Sequence, residues 1–289
     1  MRFSIVTPSF RSSHWLKLNL PSVADQEVDH EHLVQDSCSD DGTMDWLAKD
    51  QRVSAYFEKD RGMYDAVNRG LKRARGELLA YLNCDEQYLP GALARVSRYF
   101  DENPRVDVCF ADAVVVDPEG NYLCHRGAMI PTRGHTLVSR GLAILTCATF
   151  FRRSVLEERG LYFDERLRDL GDAEWVLRLI GAGVTMGVLR HFTSAFTETG
   201  ENMNLKANAK REQAEMYDSA PGWARWLRPA IIARYRVAKL FSGDYHRAPF
   251  HYEIYTAQSP ERRVRFEAAR PTGVWTRSEL QAPGRPDAA

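Results

Sequence analysis

No two cysteines in this sequence are spaced for a shared task. Cys38, Cys84, Cys109, Cys124 and Cys147 are odd in number and scattered, and none forms a C-x-x-C pair, which excludes a zinc ribbon or a disulfide framework and reads as reduced thiols. Excess charge of either sign is missing too. Lys plus Arg equals Asp plus Glu at 39 each, so no global field selects nucleic acid as a partner. No apolar run reaches the length that spans a bilayer, and residues 1–6 enter a strand pattern without a basic and then apolar leader. The expectation is a cytoplasmic chain, neither secreted nor integral. Two phosphate-binding signatures, G-x-G-x-x-G and G-x-x-x-x-G-K-[ST], are absent as well, which removes the fingerprints of a Rossmann dehydrogenase and a P-loop ATPase.

What is present is a periodic α/β pattern with enough apolar residues, 44% of 289, for a sizeable core. Strand-like runs at 3–6, 32–36 and 53–58 alternate with helix-like runs at 13–24 and 44–49, as βαβ units require. Ala66, Val67, Gly70, Leu71 and Ala74 form one helical stripe, with Asp65, Asn68, Arg69, Lys72 and Arg73 off it. A short apolar strand at 78–82 breaks at Asn83-Cys84-Asp85-Glu86, and Pro90-Gly91 opens another helix. Residues 106–125 read as a hairpin turned by Asp117-Pro118-Glu119-Gly120. The expected division is a domain over 1–200, with halves meeting near 115, and a mainly helical extension over 201–289 that ends in a frayed tail.

In an open α/β sheet, ligands collect at the carboxyl ends of the strands. Four blocks stand at or beside such ends: F-S-I-V-T-P-S-F, V-Q-D-S-C-S-D-D-G-T, E-K-D-R-G-M-Y-D-A-V-N-R-G and A-Y-L-N-C-D-E-Q-Y-L-P-G-A-L. In order and spacing they resemble the family 2 glycosyltransferases of GT-A fold, of the bacterial surface-polysaccharide type, from residue 3 to about 200. The resemblance implies a three-layer α/β/α sandwich around a mostly parallel sheet. It implies an inverting transfer from a nucleotide diphosphate sugar to a saccharide or lipid-linked saccharide acceptor. Thr7, Pro8, Phe10 and Arg11 would border the nucleobase, Asp36 its edge, and Asp60, Arg61 and Gly62 the ribose and phosphates.

The Asn83 to Glu86 block resembles the family's Asp-x-Asp signature, with Asp85 as the ligand of Mg²⁺ or Mn²⁺ at the diphosphate. Asn83 and Glu86 depart from the commoner pattern, and Glu86 ranks second as a ligand. Leu170 to Leu179 resembles the family's acidic catalytic helix, with Asp172 in the role of general base. Each of these acids has a structural rival. Asp36 fits a strand end, Asp85 and Glu86 a turn, Asp172 a helix N-terminus, and Asp41 a helix cap. Glu174, second to Asp172 as base, stands one turn before Arg178, Trp175 fits the core, and His191 is a secondary metal candidate in an expected loop after a strand at 184–189.

Two other readings stay open: a sugar nucleotidyltransferase, whose Gly-rich first loop is missing here, and a catalytically inactive nucleotide-sugar-binding subunit. Between 223 and 241, Arg225, Arg228, Arg234, Arg236 and Lys239 interleave with Trp223, Trp226, Tyr235 and Phe241 without an acid. That composition suits an anionic membrane surface on the inner leaflet, or equally a pair of helices packed on the sandwich.

Overall fold

The computed structural model describes residues 1–139, 142–200 and 207–275. The N-terminal alternation folds as β1 (Phe3–Ser9), α1 (Ser13–Ala24), β2 (His30–Asp36), α2 (Thr43–Leu47), β3 (Ser54–Phe57), α3 (Met63–Arg73) and β4 (Leu78–Tyr81). The four strands lie parallel in the order β3-β2-β1-β4, so the loops that follow them open on one edge.

The chain continues through β5 (Glu86–Tyr88), α4 (Ala92–Glu102), β6 (Val108–Val116), β7 (Tyr122–Arg126), α5 (Arg133–Val138), β8 (Thr149–Arg152), α6 (Ser154–Glu157), α7 (Gly171–Gly181) and β9 (Met186–Thr197). Among the described residues nine strands make one sheet, which runs on as β4-β8-β6-β9-β5 with β7 beside β6. β9 is parallel to β6, whereas β8 opposes both β4 and β6. The strand expected to stop near Leu189 runs on to Thr197, because register shifts opposite Ala111 to Ala113 let it continue past Arg190 and His191.

Side-chain alternation sorts the strands onto two faces. Leu79 and Tyr81 of β4 meet Val67 and Leu71 of α3 and Trp175, Val176 and Leu179 of α7. Leu78 and Ala80 meet Leu93, Val96 and Phe100 of α4 on the other side. Leu33 and Val34 of β2 divide in the same way, Val34 packing under Leu16 and Leu20 of α1 and Leu47 of α2. The expected helix, sheet, helix sandwich is therefore present.

α3 lies against β1 at Gly70, where an added Cβ would clash with Val6 Cγ1. Alanine normally gains about 1 kcal/mol over glycine within a helix. Val6 is fully buried and stiff at χ1, so overpacking of about 1–3 kcal/mol decides the sign. Gly70→Ala is expected to lower the urea midpoint, and Val6→Ala in the same chain to remove part of that loss. A midpoint unchanged or raised by Gly70→Ala would contradict the close approach.

After α8 (Ala207–Asp218), α9 (Gly222–Trp226) and α10 (Arg228–Phe241), the extension adds a pair of strands to its helices. β10 (Phe250–Thr256) and β11 (Ser259–Ala268) form an antiparallel hairpin. It is bound to the sandwich: Tyr252 and Ile254 pack with Leu89, Val114 and Ala195, and Gln87 exchanges hydrogen bonds of 2.9 and 2.8 Å with the Tyr255 backbone. Arg263 adds two bonds to Asp25, at 2.6 and 2.7 Å. Charges at Glu261, Arg262 and Arg263 mask the strand pattern of β11, whose outer face is solvated. The expected tail at 283–289 lies outside the described residues.

Candidate active site

The loops after β1, β2 and β4 meet the segment before α3 and the first turn of α7 around a cavity of about 840 Å³. Pro8 lines it from the end of β1 and Phe10 from the loop after it, Ser37 from the second loop, Lys59 to Gly62 from the third, Asn83 to Asp85 from the fourth, Glu86 from the start of β5, and Asp172 from α7.

Two non-glycine residues in these loops hold positive φ, Arg11 at 48° and Cys38 at 57°, and such conformations persist only where neighbours enforce them. Asp36 supplies the enforcement. Fully buried, it accepts bonds of 2.8 Å from the Ser9 hydroxyl, the Ser39 hydroxyl and the Ser39 N–H, while Arg11 donates its N–H to Ser39 Oγ at 2.8 Å. Asp36 thus ties the first two loops together and stands outside the cavity lining. Thr7 is also buried and outside it, its hydroxyl 2.8 Å from His32 Nε2. Arg11 turns to Asp40 in a two-pronged ion pair of 2.6 and 2.7 Å. Asp41 accepts N–H bonds from Ser13 and Thr43, both at 3.1 Å, and so braces the starts of α1 and α2.

The segment entering α3 does reach the cavity. Asp60 accepts the Gly62 N–H at 2.9 Å, and burial raises its carboxyl above the usual range. Arg61 pairs with Glu165 and donates its N–H to Asp65 at 2.9 Å. Lower on the same helix, Asn68 exchanges bonds of 2.8 and 3.0 Å with the Phe163 backbone, which fixes the loop leading to α7.

After β4, the turn is pinned by Asn19, whose Nδ2 donates to Asn83 O at 3.0 Å and Glu86 O at 2.9 Å. Glu86 is 1% exposed; its Oε2 accepts the Asn83 N–H at 2.7 Å, and its Oε1 is buried with no hydrogen-bond partner. Burial raises the Asp85 carboxyl, and burial together with the Asp85 charge raises Glu86. Cys84 turns its thiol to the Pro8 carbonyl at 3.2 Å, and burial pushes that thiol up, away from nucleophilic chemistry.

Asp172 sits in the first turn of α7, where burial lifts its pKa to about 6. Its N–H donates to Tyr64 Oη at 3.1 Å, and its Oδ1 accepts the Ala173 N–H at 2.7 Å. Gly171 makes this approach feasible, since a Cβ there would lie 2.5 Å from the Tyr64 ring. The extension takes part as well. Glu212 of α8 accepts three N–H bonds, from Arg168 at 3.0 Å, Asp169 at 3.1 Å and Leu170 at 2.9 Å, and so closes the loop that enters α7. Glu174 is held by Arg178 at 2.7 and 2.8 Å, and Trp175 is 2% exposed with its Nε1 donating to Leu161 O at 2.6 Å. Neither Glu174 nor His191 lines the cavity; His191 lies within β9, near Asp112 and Arg247.

Of the residues singled out in the sequence, the cavity therefore gathers Pro8, Phe10, Asp60, Arg61, Gly62, Asn83, Asp85, Glu86 and Asp172. Tyr64, Tyr81, Thr146, Arg168 and Asp169 join them without a sequence signal of their own. Among the described residues no three His, Cys, Asp or Glu side chains form a metal cage. Asp85 beside the unpartnered Glu86 oxygen fits a hard cation that one or two carboxylates share with a bound phosphate group.

The family described as Glycosyl transferase family 2 matches residues 4–160. The putative teichuronic acid biosynthesis glycosyltransferase TuaG of Bacillus subtilis is 32% identical over 105 residues, covering 34% of this chain and 42% of that protein. A PGL/p-HBAD biosynthesis glycosyltransferase of Mycobacterium bovis is 32% identical over 121 residues, 39% of this chain and 47% of its own. The chain spans less than half the length of these curated relatives. In structure, Staphylococcus aureus TarS in complex with UDP-GlcNAc superposes with a TM-score of 0.60 at 19% identity, over 83% of this chain and 73% of that one. The mannosyltransferase PcManGT of Pyrobaculum calidifontis, in complex with GDP-Man and Mn²⁺, gives 0.52 at 18% identity, over 84% and 79%. These likenesses establish the GT-A fold. With the family match covering more than half its length, the chain belongs to glycosyl transferase family 2.

Proposed function

We propose that this chain moves a sugar from a nucleotide diphosphate sugar to an acceptor hydroxyl with inversion, during assembly of a surface polysaccharide or glycoconjugate. The observation that carries the reading is one cavity holding three kinds of group: the exposed Phe10 ring, the Asp85 and Glu86 pair, and Asp172 with its raised pKa. The relatives named for teichuronic acid and PGL/p-HBAD biosynthesis, and the neighbours bound to UDP-GlcNAc and GDP-Man, support it.

Phe10, 54% exposed at the cavity, offers a ring face to the nucleobase, and Asp36 shapes that end through its serine clasp. Lys59 and Arg61 face the phosphates. Asp85, with Glu86 beside it, would hold Mg²⁺ or Mn²⁺, and such a cation supplies neutralisation of the charge that builds on the departing diphosphate. Asp172 takes the proton of the acceptor hydroxyl as that oxygen attacks the anomeric carbon. Tyr64 and Glu212 hold Asp172 in place from α3 and α8. The acceptor is a saccharide or a lipid-linked saccharide.

A base must be ionised to accept a proton. With Asp172 raised to about 6, kcat/KM is expected to climb about tenfold per pH unit below that value and level off above it. At saturating divalent cation, which would hold Asp85 ionised, residual activity of Asp172→Asn should lack this limb. A wild-type limb near the ordinary value of 3.8 would contradict the assignment. NMR of the new glycosidic bond tests the displacement: inversion is expected, and a retained anomeric centre would remove Asp172 from the role of base.

A further inference from the structure

α9 and α10 carry their polarity inside out. The inward side of α10 places Ile231 against Leu137 and Val138 and stacks Tyr235 on His135 at 3.9 Å between ring centroids. It also buries Lys239, 3% exposed, against Asp244. Outward stand Phe241 at 85% exposure, Trp226 at 80%, Trp223 at 62%, and Val237 and Leu240 at 50% each. Ala230, Ala233, Val237 and Leu240 recur at the three- and four-residue spacing of one helical stripe, and all four are exposed. A buried lysine two residues from an exposed phenylalanine is the reverse of what water alone selects.

Between residues 219 and 243 the charges have one sign. Arg225, Arg234 and Arg236 are exposed, and no acid occurs between Asp218 and Asp244. Arg225 reaches Asp218 only at 3.9 Å, and Arg228 is engaged at the Val138 carbonyl at 3.0 Å. A neighbouring cavity of about 560 Å³, lined in part by Lys210 and Arg228, extends the same field. A two-fold pairing of this face with a second copy would set arginines against arginines. An anionic bilayer meets both halves of the surface: phosphates face the guanidinium groups, and the indole and phenyl rings enter the headgroup layer.

We propose that the α9 and α10 face docks this protein on an anionic membrane surface. α10 packs on α5, and α5 packs on α7, so the docked helix is two elements away from Asp172. Docking there would bring the cavity to an acceptor embedded in the same bilayer; that consequence rests on the proposed transfer, whereas the docking does not.

Co-sedimentation with vesicles tests it without donor or acceptor. The full chain is expected to sediment with phosphatidylglycerol and phosphatidylcholine vesicles at low salt and to be released as salt rises. Phosphatidylcholine alone should bind weakly. Arg225→Gln, Arg234→Gln and Arg236→Gln together should lower the partition coefficient about a hundredfold, the product of about fivefold per cation. Trp226→Ser with Phe241→Ser should lower it at least about tenfold. All five side chains are exposed, so an unchanged circular dichroism spectrum is expected and serves as the folding control. Failure of the parent to bind anionic vesicles at low salt, or equal binding by all variants, would overturn the proposal. So would self-association that Trp226→Ser with Phe241→Ser abolishes while vesicles are ignored, since the face would then join copies of the chain.

Discussion

Asp172→Asn is expected to lower transfer by about 10²- to 10⁴-fold while leaving donor affinity nearly unchanged, the range that a positioned general base contributes. Asparagine keeps the shape of the side chain and an oxygen for the Ala173 N–H, which aspartate holds at 2.7 Å, so the α7 turn should persist. The sign of the stability effect follows from the raised pKa. A carboxyl lifted from 3.8 to about 6 by burial is neutral and costs nothing below its ordinary value, destabilises increasingly as pH rises from there to about 6, and carries its full cost above that. Asp172→Asn should therefore match the parent's stability in acid and equal or exceed it above neutrality. Rate, donor titration and thermal midpoint read these separately. Loss of donor binding or a collapsed midpoint would make Asp172 structural. Glu174→Gln is the control: its carboxylate is held by Arg178, so transfer should stay near the parent level.

The second large effect is expected at Asp85. Asp85→Asn should remove the dependence of donor binding on a divalent cation and lower turnover about 10²- to 10³-fold, in line with several kcal/mol of charge stabilisation at the diphosphate. Excess chelator should do the same to the parent. Glu86→Gln is expected to act more mildly, since Glu86 already spends one oxygen on the Asn83 N–H. Titration of donor with and without Mn²⁺ checks both variants. Full parent activity in excess chelator, or an Asp85→Asn protein that works like the parent, would reduce the Asn83 to Glu86 block to a turn.

The layers of the fold were legible because period and length agree. The stripe of Ala66, Val67, Gly70 and Leu71 lies buried in α3, and the apolar strand before Asn83 is β4, which closes the parallel block beside β1. The cavity was legible wherever its residues sit at strand ends or in a helix's first turn, as Pro8, Asp85 and Asp172 do. Residues that act through a second loop were not. Asp36 and Arg11 carry no local sign that they face serines and Asp40 rather than a ligand, because the crossing of their loops is tertiary. Tyr64 carries no local sign that its ring comes beneath α7, since that approach depends on the missing side chain of Gly171. Glu212, in a segment expected only to be helical, holds the approach to Asp172 from outside the sandwich. β10 and β11 fall in the same segment, where Glu261, Arg262 and Arg263 on the solvated face of β11 interrupt the apolar alternation that marks a strand.

Calorimetric titration with a panel of nucleotide diphosphate sugars in the presence of Mn²⁺ tests the assignment of the cavity most directly. The expected result is saturable binding of one donor class, weakened by chelator, by Asp85→Asn and by Phe10→Ala, and preserved in Asp172→Asn. No heat with any donor, or donor binding indifferent to Asp85 and Phe10, would contradict it.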